Sequence, residues 1–217
     1  FFVGLYAFLA VILPLGSIVM TSFMVSMSKG IRLDNFGIDA WIPVLENSQY
    51  LDCIWRSLGY AFLSACIGTV LALFVAYLSV KTRVPGRSLP DILVMVGGST
   101  PSVVIALALI IFFSGNYGLN LYSSMWILIV SYLVKYMTMS VRTIAASLSQ
   151  VSSSLEEAGL NAGADWLRIC KDIIMPLIAP SIVAGWFLIF MPSFYELTMS
   201  NLLYGSDTQT IGVLLYE

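Results

Sequence analysis

The stretch LEEAGLNAGADWLRICKDIIMP, Leu155 to Pro176, decides how the rest of the chain is read. It is the most polar part of a very apolar sequence. Seven charged side chains lie between Arg142 and Met175: Arg142, Glu156, Glu157, Asp165, Arg168, Lys171 and Asp172. The whole chain has only 10 basic and 12 acidic residues, so this segment is built to meet water. Ser154 followed three residues later by Glu157 is a capping-box pattern, which predicts a helix from Leu155. Glu156 and Glu157 in its first turn suit the positive end of a helix dipole. Gly159 weakens that helix, and Gly163 is placed to close it as a C-terminal glycine. Asp165 can cap a second helix. In it Trp166, Ile169, Cys170, Ile173 and Ile174 recur at helical spacing as one apolar stripe. Pro176, with Pro180 one turn on, stands at the entrance of the next apolar run. The predicted order is helix, glycine corner, amphipathic helix, membrane.

Outward from this segment the composition is that of a membrane protein. Of 217 residues, 59% are hydrophobic and 10% charged, against roughly 25% charged in ordinary soluble domains. Mean hydropathy is +0.92. The formal net charge of -2 offers no basic face for nucleic acid. There is no histidine to act as general base or metal ligand. Cys53, Cys66 and Cys170 lie far apart without metal-ligand spacing, so no metal site is expected. The chain begins at Phe1 inside an apolar run with no basic residue before it. It does not read as a signal peptide and is expected to be part of a longer protein.

Charge-free intervals of roughly 20 residues locate the spans. They fall at about 1–23, 57–80, 89–113, 121–141 and 176–196, with one division at SGNYGLN, Ser114–Asn120, whose glycines and asparagines are turn chemistry. Between them lie a loop at 24–55 and the polar loop at 142–175. Lys81, Arg83, Arg87, Arg142, Arg168 and Lys171 fall on one side, and Lys29, Arg32 and Arg56 on the other. Six against three makes the polar loop cytoplasmic and the 24–55 loop external. Five spans leave the chain end outside, so a sixth span is expected beyond it.

Three features interrupt the apolar pattern. Lys135 falls inside the fourth span and is expected to snorkel toward the inner interface. In VGGSTPS, Val96–Ser102, Thr100 before Pro101 reads as an N-cap followed by a first-turn proline, so the third span is expected to be kinked or broken there. That break is either a packing kink or part of a wet pathway, with Ser99, Thr100 and Ser102 as lining candidates. Glu196, beside Tyr195 at the end of the fifth span, is either a carboxylate at the outer interface or a pathway group.

Physical reasoning alone leaves three uses for the polar loop: lying on the membrane, bracing the spans, or presenting a rigid helix to a soluble partner. A resemblance separates them. The loop is similar to the EAA loop of binding-protein-dependent ABC transporter permeases of the type I importer class. The family pattern is E-A-A, three residues, G, nine residues, I-x-L-P. Here it stands as Glu157-Ala158-Gly159, three residues, Gly163, nine residues, Ile173-x-Met175-Pro176. Gly159 replaces an alanine and Met175 a leucine.

The resemblance implies an all-α polytopic bundle, with five spans present of a six-span core, in the inner (plasma) membrane. It implies a permease that forms the substrate pathway and does not itself hydrolyse ATP. ATP and Mg would bind a separate cytoplasmic ATPase, and no cofactor would bind this chain. The coupling loop would comprise Leu155, Glu156, Glu157, Ala158, Gly159, Ala162, Gly163, Ala164 and Asp165, supported by Trp166, Ile169, Ile173, Met175 and Pro176. Further partners would be a second permease half and an external substrate-binding protein. The stretch Phe194–Glu217 is similar to the matching region of iron(III)-type permeases, which makes iron(III) a candidate substrate beside thiamine, polyamines and phosphonates. The chain has no G-x-x-x-x-G-K-[ST] phosphate loop, in keeping with a non-catalytic subunit. Two other classes stand beside this one: a secondary transporter fragment, which would need carboxylates near the midplane, and a non-transporting membrane scaffold for a cytoplasmic partner.

Overall fold

The computed structural model describes residues 2–39, 41–115 and 118–216. In the turn expected at Ser114–Asn120, Asn116 and Tyr117 lie outside the described residues. Among the described residues the chain is helical, with two isolated antiparallel bridges, Met24 to Phe36 and Ser114 to Asn120. It packs as two compact units, Phe1–Asp52 and Cys53–Glu217, where the sequence reads as one domain.

The first unit holds helix α1 (Phe2–Ser22), a folded loop, and a short helix Ile42–Glu46. Helix α2 (Ser48–Lys81) begins there and continues through the second unit. Next come α3 (Leu89–Ser99), α4 (Ser102–Phe113), α5 (Met125–Gln150), α6 (Ser153–Asn161) and α7 (Trp166–Phe194). Helices α1, α2, α5 and α7 are each long and apolar enough to cross a membrane. The pair α3 and α4 passes that test only together and is bent by 110° at its junction.

Close packing within the second unit follows the logic of membrane helices. Lipid tails are as apolar as leucine, so helices associate through small residues that let backbones approach. In α2 the buried positions include Ser57, Ala61, Ala65, Ala72 and Ala76, one face at near four-residue spacing. Cys66 and Phe62 of the same helix meet α7: Trp186 Nε1 donates to Cys66 Sγ at 3.4 Å, and the Phe62 and Trp186 rings lie edge to face at 5.6 Å. Where α3 crosses α5 the approach is closer still. A Cβ on Gly97 would lie 2.6 Å from the Val134 carbonyl oxygen, so only glycine fits.

Four boundaries differ from the sequence reading. Helix α5 runs to Gln150, nine residues past the expected end at 141 (150 − 141). Arg142 does not stop it, because Val141, Ile144 and Leu148 continue the buried face while Arg142 points away and pairs with Asp91 at 3.4 Å. Helix α2 starts at Ser48, which shortens the 24–55 loop. The amphipathic helix and the fifth span form one rod, α7. The 142–175 loop is thereby reduced to roughly 151–165, with α6 as its one helix.

Among the described residues, wide π turns occur at Phe8–Ile12 and Cys170–Ile174. Each ends two residues before a proline, Pro14 or Pro176. Proline has no N–H for the α-helical ladder, and its ring crowds the carbonyl four residues back. The wider turn relieves that crowding, with Leu13 N donating to Phe8 O and Met175 N to Cys170 O. In α7 the extra residue per turn resets the stripe. Ile169, Ile174 and Ile178 are buried along the first half of the rod, and Trp166 at its start is 56% exposed.

Gly97→Val should force α3 away from α5 and cost about 1–3 kcal/mol, the usual range for overpacking. Gly4, with nothing within 4 Å of a built Cβ, is the control site. Thermal unfolding of detergent-purified protein should show a lower midpoint for Gly97→Val and none of that loss for Gly4→Val.

Candidate functional site

Helix α6 is held at both ends by local capping. Val151 leaves α5 with ψ 110, so Ser152 is the first residue free to take the extended N-cap conformation, φ -62 and ψ 137. Its Oγ accepts from Ser154 N at 3.3 Å. The cap therefore sits two residues before the expected Ser154, and α6 starts at Ser153 rather than Leu155. At the other end Gly163 N donates to Leu160 O at 2.9 Å and Ala164 N to Gly159 O at 3.0 Å. Gly163 has φ +85. This is a Schellman closure, which needs a left-handed residue at that position. Asp165 then caps α7, its Oδ1 accepting from Arg168 N at 3.1 Å.

The capped helix is fastened to the bundle from two sides. Lys81 Nζ, on a side chain 11% exposed, donates to Glu156 Oε1 at 2.5 Å and to Val151 O at 2.8 Å. One ammonium thus ties the end of α2, the carbonyl that follows α5 and the first turn of α6, and its charge suits a helix C-terminus. On the other side Gly159 sits against α7. A Cβ there would lie 3.0 Å from Ile169 Cγ1 and 3.2 Å from Ile173 Cδ1. The departure from alanine at this position lets α6 lie closer to α7. Trp166 Nε1 donates to Tyr77 OH at 2.8 Å, which anchors the start of α7 to α2. Leu155, Glu157, Ala158, Leu160, Ala162 and Gly163 are exposed, with Leu155 at 44% and Leu160 at 58%. Ala164 packs on the core beside Ile169 and Ile173, and Met175 and Pro176 are exposed on α7.

A second constellation surrounds the break between α3 and α4. Thr100, restricted by Pro101 to extended backbone, has φ -71 and ψ 136. It is the C-cap of α3 rather than the expected N-cap of α4: its Oγ1 donates to Val96 O at 2.7 Å. Ser99 Oγ likewise donates back to Met95 O at 2.9 Å. Pro101 takes the N-cap position of α4, without a side-chain bond, and Ser102 follows half-buried. Lys135 Nζ reaches across from α5 and donates to Thr100 O at 2.7 Å and Gly98 O at 3.2 Å. Thr138 Oγ1 donates to Val94 O at 2.7 Å. Lys135 does not snorkel as expected. It lies ten residues into α5 (135 − 125), about 15 Å along it, and its ammonium is held at that depth by carbonyls of the break.

Glu196 is also placed otherwise than at a wet surface. It is 5% exposed, and its carboxylate accepts from Met199 N, Ser200 N and Ser200 Oγ at 2.8–3.0 Å. It caps the short helix Ser200–Leu203, and Ser200 Oγ meets Tyr132 OH at 2.7 Å. Tyr195 beside it is 66% exposed and faces an apolar groove shared with Tyr136, Met139, Phe187 and Met191. The structure thus gathers 155–176 into one site, and leaves Ser99, Thr100, Ser102 and Tyr195 apart from it. Sequence reasoning missed Lys81, Tyr77 and the role of Lys135. A basic residue at a helix end or inside a span is the available signal, but its partner carbonyls are 70 and 35–37 residues away. Among the described residues no group of three or more His, Cys, Asp or Glu could hold a metal ion.

Comparison with known proteins agrees with this architecture. Residues 68–216 match the family described as binding-protein-dependent transport system inner membrane component. The chain belongs to that family and is a multi-pass inner membrane protein. It is 29% identical over 170 residues to the Fe(3+)-transport system permease protein FbpB 2 of Haemophilus influenzae, covering 78% of this chain and 33% of that protein. It is 25% identical over 217 residues to the spermidine/putrescine transport system permease protein PotC of Escherichia coli, covering 100% of this chain and 80% of that one. The chain therefore spans about a third of the first relative and four fifths of the second. Among solved structures, a bacterial ABC transporter involved in import of the acidic polysaccharide alginate matches with TM-score 0.74 and 16% identity over 99% of this chain and 75% of that chain. The alginate transporter in complex with an alginate pentasaccharide-bound periplasmic protein matches with TM-score 0.67 and 19% identity over 97% and 82%. These likenesses show the fold, that of type I ABC importer transmembrane domains.

Lys81→Met should release α6 while leaving the spans intact. A largely buried charge that loses its partner is costly to the group left behind, so Glu156→Gln alone and the double variant complete the cycle. Hydrogen exchange of backbone amides 153–164 should accelerate in Lys81→Met and not in Lys81→Arg. Unchanged protection in Lys81→Met would mean the ion pair does not fasten the helix.

Proposed function

We propose that this chain is the permease half of an ATP-driven importer and that α6 is its coupling helix, seated in a groove on a cytoplasmic ATPase subunit. The observation that carries the proposal is α6 itself: a short helix closed by the Ser152 side chain at one end and the Gly163 turn at the other, and fastened beneath by Lys81 and Gly159. Leu155 and Leu160 face outward from it into water. Such a helix moves as a rigid piece, so a push on its exposed face passes to α2, α5 and α7 through Lys81 and the Gly159 contact. Binding and hydrolysis of ATP with Mg would take place on the ATPase, and no step is assigned to a catalytic group of this chain.

The remaining partners follow from the same reading: a second permease half, identical or homologous, and a substrate-binding protein outside. The break at 99–102 and Tyr195 are proposed to border the substrate pathway. Glu196 is left out, because its carboxylate is already engaged internally. Iron(III) is the candidate substrate, supported by the likeness of residues 194–217 to iron(III)-type permeases and by the FbpB 2 match. PotC, named for spermidine and putrescine, marks polyamines as the competing class. A secondary transporter gains no support, since Asp91 pairs with Arg142 and Glu196 caps a helix.

The test is reconstitution with the ATPase and binding protein in liposomes. Gly163→Val puts a β-branched residue where φ is +85, at a cost of roughly 1 kcal/mol or more, and adds bulk to the exposed corner. Membrane levels should stay normal, ATPase retention should weaken and transport should fall. Gly159→Ala gains about 1 kcal/mol of helix propensity, and Ile169 and Ile173 must shift by a few tenths of an ångström to admit it. It should keep both ATPase and transport near the parental level. If Gly163→Val retains the ATPase and transports like the parent, α6 is not the coupling element.

A further inference from the structure

The loop after α1 folds around a buried polar side chain. The chain leaves α1 at Ser22 and doubles back: Val25 N donates to Asn35 O at 2.9 Å and Gly37 N to Phe23 O at 2.9 Å. At the centre of this hairpin is a polar side chain, Asn35, with no exposed surface. Its Nδ2 donates to Ser26 O at 2.7 Å and Gly30 O at 2.8 Å, and its Oδ1 accepts from Ser26 N at 3.0 Å. Turned outward beside Ser28, Lys29, Arg32 and Asp34 are three apolar side chains, Met27, Ile31 and Leu33, at 75%, 73% and 98% exposure. Apolar side chains gain by leaving water, so three so fully exposed on one tip call for an apolar cover. An internal asparagine that satisfies the backbone, with aliphatic and charged residues side by side outside, suits a boundary between apolar and aqueous surroundings.

The chain's own continuity says what that surrounding is. Helix α1 has 21 residues and is about 32 Å long, enough to cross the hydrocarbon. The hairpin begins within two residues of its end, where hydrocarbon gives way to headgroups. Lys29 and Arg32 alternate with the aliphatic residues at the tip, long enough to lay their stems along acyl carbon and reach lipid phosphates. Asp34, exposed beside Leu33, sets a limit to depth. Trp41 lies near Phe23, ring centroids 6.1 Å apart and tilted by 41°, and tryptophan is enriched at membrane interfaces.

We propose that residues 24–37 are an interfacial anchor whose Met27, Ile31 and Leu33 tip lies in the phospholipid headgroup layer at the end of α1. The anchor fixes the depth and tilt of that span. The proposal rests on the membrane location of the chain and not on the coupling reading of α6.

Site-directed spin labelling tests it. Cysteines at 27, 31 and 33, and at the water-exposed Asn161 as reference, are labelled singly with Cys53, Cys66 and Cys170 replaced by alanine. The protein is placed in phosphatidylethanolamine and phosphatidylglycerol nanodiscs. Collisions with oxygen should exceed those with a water-soluble nickel chelate at 27, 31 and 33, and the order should reverse at 161. Leu33→Trp in the otherwise unaltered chain gives a second reading: lipids brominated near the headgroup should quench more of its fluorescence than of the parent's. Nickel collisions dominating at 31 and 33, with no added quenching, would place the hairpin in water and overturn the proposal. Labels shielded from both reagents would overturn it too, by showing a protein partner on the same face.

Discussion

A backbone carbonyl in hydrocarbon has no water to turn to, and this constraint governs the second unit. An unpaired one costs several kcal/mol. Pro101 breaks the third span and frees the carbonyls at the end of α3. Lys135 takes two of them, Thr100 O and Gly98 O. For its ammonium to reach them, α3 must lie almost on the backbone of α5, and so position 97 must be glycine. The 110° bend, the close crossing and the half-buried cation are one solution rather than three features. The arrangement also explains how a lysine is tolerated at that depth. Its charge meets the negative end of a helix, where carbonyl dipoles take the place of a carboxylate.

The same device recurs at the wet end, with a different consequence. Lys81 lies on Val151 O, at the end of α5, and adds Glu156 as a second partner. The cation therefore both terminates a span and fastens the next helix to it. Ser152 and the Gly163 turn set where α6 starts and stops, and the fastening holds the nine-residue helix formed against the bundle. Its ends are local and its position is tertiary. The Gly159 contact works the same way: it leaves the helix intact and sets its distance from Ile169 and Ile173.

Proline meets the spans in more than one way: Pro180 and Pro192 lie inside α7 with no break and no widened turn, while three others change the backbone. At Pro101 the chain takes extended backbone and the helix ends. At Pro14 and Pro176 the helix survives by widening into a π turn just before the ring. The difference lies in what precedes each one. Gly97, Gly98, Ser99 and Thr100 stand before Pro101. The two glycines are weak helix formers, and the two hydroxyls bond back to carbonyls of the end that is created. Before Pro14 stand Ala10, Val11, Ile12 and Leu13, and before Pro176 stand Asp172, Ile173, Ile174 and Met175. Neither turn contains a glycine or a hydroxyl that could close the helix, so the helix does not stop there.

What could be read from residues alone is what short-range chemistry controls. The apolar intervals located the spans, because crossing hydrocarbon requires a minimum run of such residues. Gly163 and Asp165 announced a turn and a cap, because those bonds close within a few residues. The break near Pro101 was legible for the same reason. Where helices end, and what polar groups do inside the bundle, depends on packing between distant segments. Arg142 reads as the end of a span, yet Ile144 and Leu148 find a buried face that carries α5 on to Gln150. Ser154 satisfies the capping pattern, yet the exit angle of α5 gives the cap to Ser152. Glu196 and Lys135 read as groups in search of water. Each instead meets the free end of a helix, an amide end for the carboxylate and a carbonyl end for the ammonium. Residue type fixes which partner a charge can accept. Only the fold determines whether that partner is brought within 3 Å, because for Lys135 it lies on another helix, 35 residues away.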